Sequence, residues 1–249
     1  MRKLQDTKPI GHALIWIAIY IVAVNIGESV GEQLSFPGFT SLLLIILLIV
    51  LVFYLRAGGR LAFYGVRSMQ PGTMPLTLFY IPLFAITFLQ YAKGFPSHLD
   101  LQALVFAILL VAAVGFIEEL LFRGYLLQGL RTRGNLTRAI IISGVTFGLG
   151  HIVNLLRGYS PTEQALQIIA AVLIGIALAY CAVLTGSIMP GVVFHVLFNL
   201  SGTITAHSVL WDSVTVGIIS LVLIPYILLL RNRLTKAGAA ITAIPARMG

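Results

Sequence analysis

Long apolar runs separated by short polar segments dominate this chain and restrict what it can fold into. Of its 249 residues, 59% are hydrophobic and only 10% are charged, whereas a soluble domain carries about a quarter charged residues. A run of about 20 apolar residues can cross the hydrocarbon core of a bilayer as a helix. We therefore predict an all-α fold, a polytopic membrane protein that forms one membrane domain over residues 1–249.

The polar breaks predict eight transmembrane helices with both termini on the same side of the membrane. The expected spans are residues 12–34, 40–55, 74–92, 99–130, 137–156, 162–184, 189–206 and 212–230. Pro75 and Pro82 predict a kink in the third span, because proline removes a helical hydrogen bond. Residues 232–249 are expected to form a short cytoplasmic tail.

The basic residues indicate the orientation of these spans. If the N-terminus is cytoplasmic, the outer side holds only Lys93 and Arg157. The inner side then holds Arg2, Lys3, Lys8, Arg56, Arg60, Arg67, Arg131, Arg133, Arg138, Arg231, Arg233, Lys236 and Arg247. This arrangement follows the positive-inside rule. It accounts for the net charge of +8 without nucleic acid as a partner, so membrane lipid is the expected partner.

Ionisable and amide side chains inside three spans are costly in a membrane and indicate function. They are Glu118, Glu119 and Arg123 in span 4, His151 in span 5, and His195 and Asn199 in span 7. Residues four apart share a helix face, so Glu119 can pair with Arg123, and His195 shares a face with Asn199. Counting residues from the basic side predicts that the cluster meets in one cavity that opens toward the cytoplasm.

Two kinds of chemistry suit such a cluster, and the spacing does not choose between them. Glu118 can act as a general base on water while His or Asn stabilises an oxyanion. The same side chains can also bind Zn²⁺ and activate a metal-bound water. Each residue alone could instead serve helix packing, and Glu119 with Arg123 could be a structural ion pair. The chain has no His-Glu-x-x-His motif and no serine in a Gly-x-Ser-Gly context.

The three motifs resemble those of a known family. Glu118-Glu119-x-x-x-Arg123, Phe147-x-x-x-His151 and His195-x-x-x-Asn199 are similar in type, order and spacing to the motifs of the CAAX protease and bacteriocin-processing (CPBP, or ABI) family. The resemblance covers roughly residues 111–202 and implies an intramembrane endopeptidase.

The resemblance also implies a role for each residue of the motifs. Glu118 would activate water and His151 would position it. His195 and Asn199 would belong to the oxyanion site or to the same polar cluster, and Glu119 and Arg123 would be supporting residues. The family is often described as metalloproteases, so Zn²⁺ is a possible cofactor, although a metal-free glutamate mechanism is equally open.

We therefore predict a multi-pass endopeptidase, in the plasma membrane of a prokaryote, acting on a peptide or lipidated protein substrate. The substrate would be a prenylated CAAX-type protein or a bacteriocin or leader peptide. Two alternatives stay open. One is a non-catalytic scaffold or bacteriocin-immunity protein with the same fold. The other is a small proton-coupled transporter that uses Glu118 and the histidines as a relay.

Overall fold

A computed structural model describes residues 1–96, 100–132 and 134–242, which form helices and connecting loops without a β-strand. Arg133 and Arg247, both expected on the cytoplasmic side, lie outside the described residues. The α-helices are α1 (Arg2–Thr7), α2 (Pro9–Gln33), α3 (Phe39–Ala57), α4 (Ile81–Thr87), α5 (Leu101–Glu119), α6 (Leu127–Arg131), α7 (Leu136–Gly150), α8 (Pro161–Thr185), α9 (Met189–Thr203) and α10 (Val209–Thr242).

The predicted all-α membrane fold is confirmed, with one difference in the number of spans. Seven helical segments of the described chain are long and apolar enough to cross a membrane. The expected seventh span forms α9, which has 15 residues. At 1.5 Å per residue its length is about 22 Å, less than the roughly 30 Å of a hydrocarbon core. Helix α9 is therefore too short to cross the core by itself.

The third and fifth spans depart from regular α-helix. In the third, α4 lies between two 3₁₀ segments, Met74–Tyr80 and Phe88–Lys93. Pro75 and Pro82 each lie in the first turn of a segment, where the missing N–H costs nothing. In the fifth, α7 ends at Gly150 and a 3₁₀ helix continues from His151 to Arg157.

The fourth span contains a π-helix that the sequence does not reveal. Helix α5 begins at its N-cap Asp100, whose carboxylate accepts a hydrogen bond from the Ala103 amide at 3.0 Å. After Glu119 the backbone becomes a π-helix over Leu120–Leu126, and α6 completes the span. Such segments occur often at functional sites. Here it follows directly on the two glutamates and contains Arg123.

Two hydrophobic clusters hold the helices together. One joins α2, α3 and α5 around side chains such as Ile17, Leu51 and Ile117. The other joins α8 and α10 around side chains such as Leu178 and Leu223. Helix α9 packs against α5, so it lies between the two clusters and carries its polar residues into the centre of the bundle. Helix α10 continues to Thr242, into the segment expected as a tail.

Helix α7 approaches α8 closely because two of its residues are glycines. A Cβ atom at Gly148 would lie 2.8 Å from the backbone nitrogen of Val172, and one at Gly144 would lie 2.6 Å from that of Ile176. Real Cβ atoms essentially never come this near to backbone. The small residues therefore allow backbones to touch, as in other membrane helix pairs, and they bring His151 toward the bundle centre.

We expect Gly148→Ala to lower the unfolding midpoint of the purified protein in detergent, because α7 must move away from α8 to accommodate the methyl group. Gly217→Ala is the matched control, since a Cβ atom at this α10 glycine would meet no atom within 4 Å. Thermal unfolding followed by circular dichroism compares the two variants. Equal midpoints for both would contradict the close packing of α7 on α8.

Candidate active site

The two adjacent glutamates at the end of α5 are buried within the bundle. Only 7% of Glu118 and 1% of Glu119 is exposed to solvent. The Glu119 Oε1 atom lies 2.9 Å from Arg123 Nη1, so the ion pair suggested by their spacing of four is present. The Arg123 guanidinium also lies 4.3 Å from the centre of the Phe147 ring, which adds a cation–π contact. This ion pair fixes Glu119 in one position.

His195 on α9 connects the two glutamates. Its Nδ1 atom lies 3.2 Å from Glu119 Oε1, and its Nε2 atom lies 3.3 Å from Glu118 Oε2. An ionised carboxylate only accepts hydrogen bonds, and a neutral imidazole has a single N–H. The contact with Glu119 meets the geometry of a hydrogen bond, and it turns the other ring nitrogen toward Glu118.

Tyr20 on α2 is a site residue that the sequence analysis missed. Its hydroxyl donates a hydrogen bond to Glu118 Oε1 at 2.8 Å, and its side chain is buried. Tyr20 lies in the apolar first span, outside the three motifs and 98 residues from Glu118. No spacing pattern could have linked them. The hydroxyl holds one carboxylate oxygen of Glu118 and leaves the other facing His195.

His151 and Asn199 complete the predicted cluster from two further elements. His151 begins the 3₁₀ helix that follows α7, and Asn199 lies on α9 one turn after His195. Neither side chain has a hydrogen-bond partner among the described residues. The Phe147 ring meets the imidazoles of both His151 and His195 edge-on, with centroid distances of 5.3 and 5.6 Å. The structure therefore brings all six predicted residues into one region of the bundle.

Two cavities meet at this cluster. One, of about 540 Å³, lies among α8, α9 and α10 and includes His195 in its wall. The other, of about 490 Å³, lies among α2, α5 and α9 and includes Tyr20 and Glu118. His151 and Asn199 line both cavities. Polar groups with free hydrogen-bonding capacity thus lie between two spaces that can hold a substrate.

The cavities open at the opposite end of the bundle from the one expected. Their rim carries Glu28, Lys93, Arg157, His207 and Asp212, and the basic residues expected on the cytoplasmic side line neither cavity. These two cavities are therefore not lined by the basic residues toward which the site was expected to open, and the side of the membrane that the site faces stays a prediction. Residue counts along single helices give depth, but packing between helices decides which end is open.

The carboxylates and imidazoles do not form a ready zinc site. Among the described residues, no three His, Cys, Asp or Glu side chains are grouped so that they could hold a metal ion. Both ring nitrogens of His195 face carboxylates, and the Glu119 oxygen is shared with Arg123. A catalytic zinc site needs three free protein ligands and an open position. The donors present do not fit that requirement, and the possible Zn²⁺ stays a prediction.

One comparison with known proteins finds a match over the central part of the chain. Residues 100–201 match the family model described as type II CAAX prenyl endopeptidase Rce1-like. The matched segment runs from the N-cap of α5 to near the end of α9 and contains all six residues of the three motifs. No curated protein matches the chain. The match confirms the resemblance that the motifs indicate.

Proposed function

We propose that this chain is an intramembrane endopeptidase that uses Glu118 to activate water, because residues 100–201 match the family model described as type II CAAX prenyl endopeptidase Rce1-like. The contact between Glu118 and His195, at 3.3 Å, carries the proposal. It places a base next to a group that can exchange protons with it. Both groups lie in cavity walls, where a peptide and a water molecule can reach them.

In the first step Glu118 removes a proton from water, and the resulting hydroxide adds to the carbonyl carbon of the scissile peptide bond. The Glu118 Oε2 atom faces His195 and has a second lone pair for the water. The Tyr20 hydroxyl holds Oε1, so the carboxylate cannot rotate freely. A base fixed within hydrogen-bond reach of water typically contributes about 10²–10⁴-fold to the rate.

The carbonyl oxygen becomes negatively charged in this step and needs hydrogen-bond donors. We assign that role to the Asn199 amide and the His151 imidazole, because both line the cavities and neither has a hydrogen-bond partner among the described residues. Donors already placed around a developing oxyanion stabilise the transition state without reorganisation. The C–N bond then breaks, and the proton held by Glu118 passes to the leaving nitrogen.

Glu119 and Arg123 act in this proposal as positioning residues. Arg123 holds Glu119, and Glu119 holds the Nδ1 atom of His195. This chain of contacts turns the Nε2 atom toward Glu118. It also keeps a proton on Nδ1, because the carboxylate accepts a hydrogen bond there. The two residues therefore orient His195 without touching the substrate.

The proposed substrate is a polypeptide attached to or inserted in the membrane, either a prenylated CAAX-type protein or a leader peptide. The larger cavity supports an apolar group beside the peptide, since Ala171, Ile174 and Ile219 form part of its wall. The polar cluster lies at its boundary with the second cavity. A substrate could place its apolar part among α8 and α10 and its scissile bond near Glu118.

A cleavage assay tests this function. The purified protein in detergent is incubated with internally quenched farnesylated CAAX peptides in water enriched in ¹⁸O, and the products are analysed by mass spectrometry. We expect cleavage at a single bond with one ¹⁸O atom in the new carboxylate. A non-catalytic scaffold or immunity protein would give no product. A proton-coupled transporter would give no product either, but would show proton flux in liposomes.

A chelation experiment tests the possible zinc. We expect dialysis against 1,10-phenanthroline to leave the cleavage rate unchanged, because the donors at the site already engage one another. Adding Zn²⁺ back should not increase the rate. A loss of activity that stoichiometric Zn²⁺ restores would contradict the metal-free mechanism and support the metalloprotease alternative.

A further inference from the structure

Three ion pairs surround the openings of the cavities and lie at one end of the bundle. Arg157 Nε contacts Glu28 Oε2 at 2.8 Å, and Lys93 Nζ contacts Asp212 Oδ1 at 3.1 Å. The third joins His207 Nε2 to Glu163 Oε1 at 2.8 Å. The first two pairs each link two different helical segments, and the third links α8 to the loop between α9 and α10, so together they form a charged rim. We call this end of the bundle the rim end.

The polar cluster lies near the rim end along the elements that open the cavities. Asn199 precedes the end of α9 at Thr203 by four residues, which is about 6 Å of helix. His151 precedes the end of its 3₁₀ helix at Arg157 by six residues, or about 12 Å at 2.0 Å per residue. A substrate that enters at the rim therefore needs to penetrate only a short distance.

The other end of the bundle is closed by packed aromatic side chains. Tyr125 packs against Tyr64 and His12, with centroid distances of 4.7 and 4.9 Å. The Gln5 amide donates to the Tyr64 hydroxyl at 2.8 Å. All four side chains are buried, and none of them lines either cavity. We call this end the closed end.

The two ends differ strongly in charge. All the basic residues assigned above to the inner side that the structure describes lie toward the closed end, eleven in number, beside the single acidic residue Asp6. The rim end has only Lys93 and Arg157 as basic residues among those described. Its acidic residues are Glu28, Glu32, Asp100, Glu163 and Asp212. Loops rich in Lys and Arg remain in the cytoplasm, so the closed end is the cytoplasmic one.

We propose that the active site opens to the extracytoplasmic side of the membrane and takes its substrate from there. Two observations together support this inference: both cavities open at the rim end, and the closed end is basic. It rests on the proposed endopeptidase function and narrows its substrate. The scissile bond must lie in a polypeptide segment that has been translocated across the membrane. A protein lipidated and retained on the cytoplasmic face could not reach Glu118.

Cysteine labelling in intact cells tests the side of access without relying on activity. Thr162→Cys places a thiol in the first turn of α8 at the rim end, and Ser68→Cys places one in the loop after α3 at the closed end; both positions are exposed. The native Cys181 is buried, so the unmodified protein serves as the background. A membrane-impermeant maleimide is added to spheroplasts, before or after permeabilisation.

We expect Thr162→Cys to react in intact spheroplasts and Ser68→Cys to react only after permeabilisation. Reaction of Ser68→Cys in intact spheroplasts would overturn the proposal, whether or not Thr162→Cys also reacts.

Two further variants on α8 report on the accessibility of the larger cavity. Ala170 lines the larger cavity, whereas Ala177 is fully buried and lines neither. A small impermeant thiosulfonate should modify Ala170→Cys from outside and leave Ala177→Cys unmodified. Failure to modify Ala170→Cys from outside would also overturn the proposal.

Sidedness of cleavage separates this inference from the proposed function. The probe is an internally quenched farnesylated peptide with charged flanking residues that cannot cross the bilayer. We expect right-side-out vesicles to cleave it and inside-out vesicles to cleave it only after detergent is added. Cleavage by intact inside-out vesicles would contradict the proposed direction of substrate access, but it would still support the proposed endopeptidase function. No cleavage even in detergent would instead count against the endopeptidase, while the labelling result would still report the direction of access.

Discussion

Replacing Glu118 with Gln should lower the cleavage rate by about 10²–10⁴-fold, the range typical for loss of a general base. The corresponding loss of transition-state stabilisation is about 3–5 kcal/mol. The amide has nearly the same shape as the carboxylate and can still accept the Tyr20 hydrogen bond, which is 2.8 Å long in the protein. It cannot take a proton from water. The variant should therefore fold and fail in catalysis.

Single-turnover cleavage of the quenched peptide measures this loss. Glu32→Gln is the matched control, because Glu32 is an exposed carboxylate near the end of α2, away from the cavities, and its loss should leave the rate unchanged. Tyr20→Phe should give a smaller decrease, since it frees Oε1 but keeps the base. A Glu118→Gln variant as active as the native protein would remove Glu118 from the mechanism.

Replacing Arg123 with Met should destabilise the protein by about 3–5 kcal/mol, the usual cost of removing one partner of a buried ion pair. Only 1% of Arg123 and 1% of Glu119 is exposed, so Glu119 would keep a buried charge without its cation. The unfolding midpoint in detergent measures the effect. His195 would also lose its fixed partner, so cleavage should decrease in parallel.

The pair of Arg157 and Glu28 provides the control, because it is the same kind of pair at the exposed rim. Exposed pairs contribute about 0–1 kcal/mol, so Arg157→Met should change the midpoint little. The double variant Glu119→Gln with Arg123→Met should recover part of the stability lost in Arg123→Met, because it leaves no unpaired charge. Equal midpoints for Arg123→Met and Arg157→Met would show that burial of the Glu119–Arg123 pair does not matter to stability.

The location of the six polar residues illustrates how much of the candidate site can be predicted from the sequence. Glu119 and Arg123 pair as their spacing of four indicates, because a helix puts such residues on one face. His195 lies next to the glutamates because polar side chains in separate spans are costly in contact with lipid. They avoid that cost by packing against each other inside the bundle. The structure places these six residues in one region of the bundle, while their roles at a site stay a prediction.

Tyr20 and the π-helix show where sequence reasoning fails. A tyrosine in an apolar first span has no periodic partner, and only the packing of α2 on the π-helix that follows α5 brings it to Glu118. The π-helix over Leu120–Leu126 depends on local hydrogen bonding that apolar patterning does not record. The length of α9 likewise depends on where its ends are packed, so counting apolar residues overestimated it.

By itself the sequence determined the helical membrane class, the approximate limits of the spans and the three motifs, which lie within the segment 100–201 that matches the family model. These properties follow from hydropathy, helical periodicity and residue type, which are local or additive along the chain. Only the tertiary structure decided that Tyr20 holds Glu118, that two cavities meet at His151 and Asn199, and that they open at the end opposite the basic loops. Those features arise from contacts between helices distant in sequence, and no count along one helix contains them.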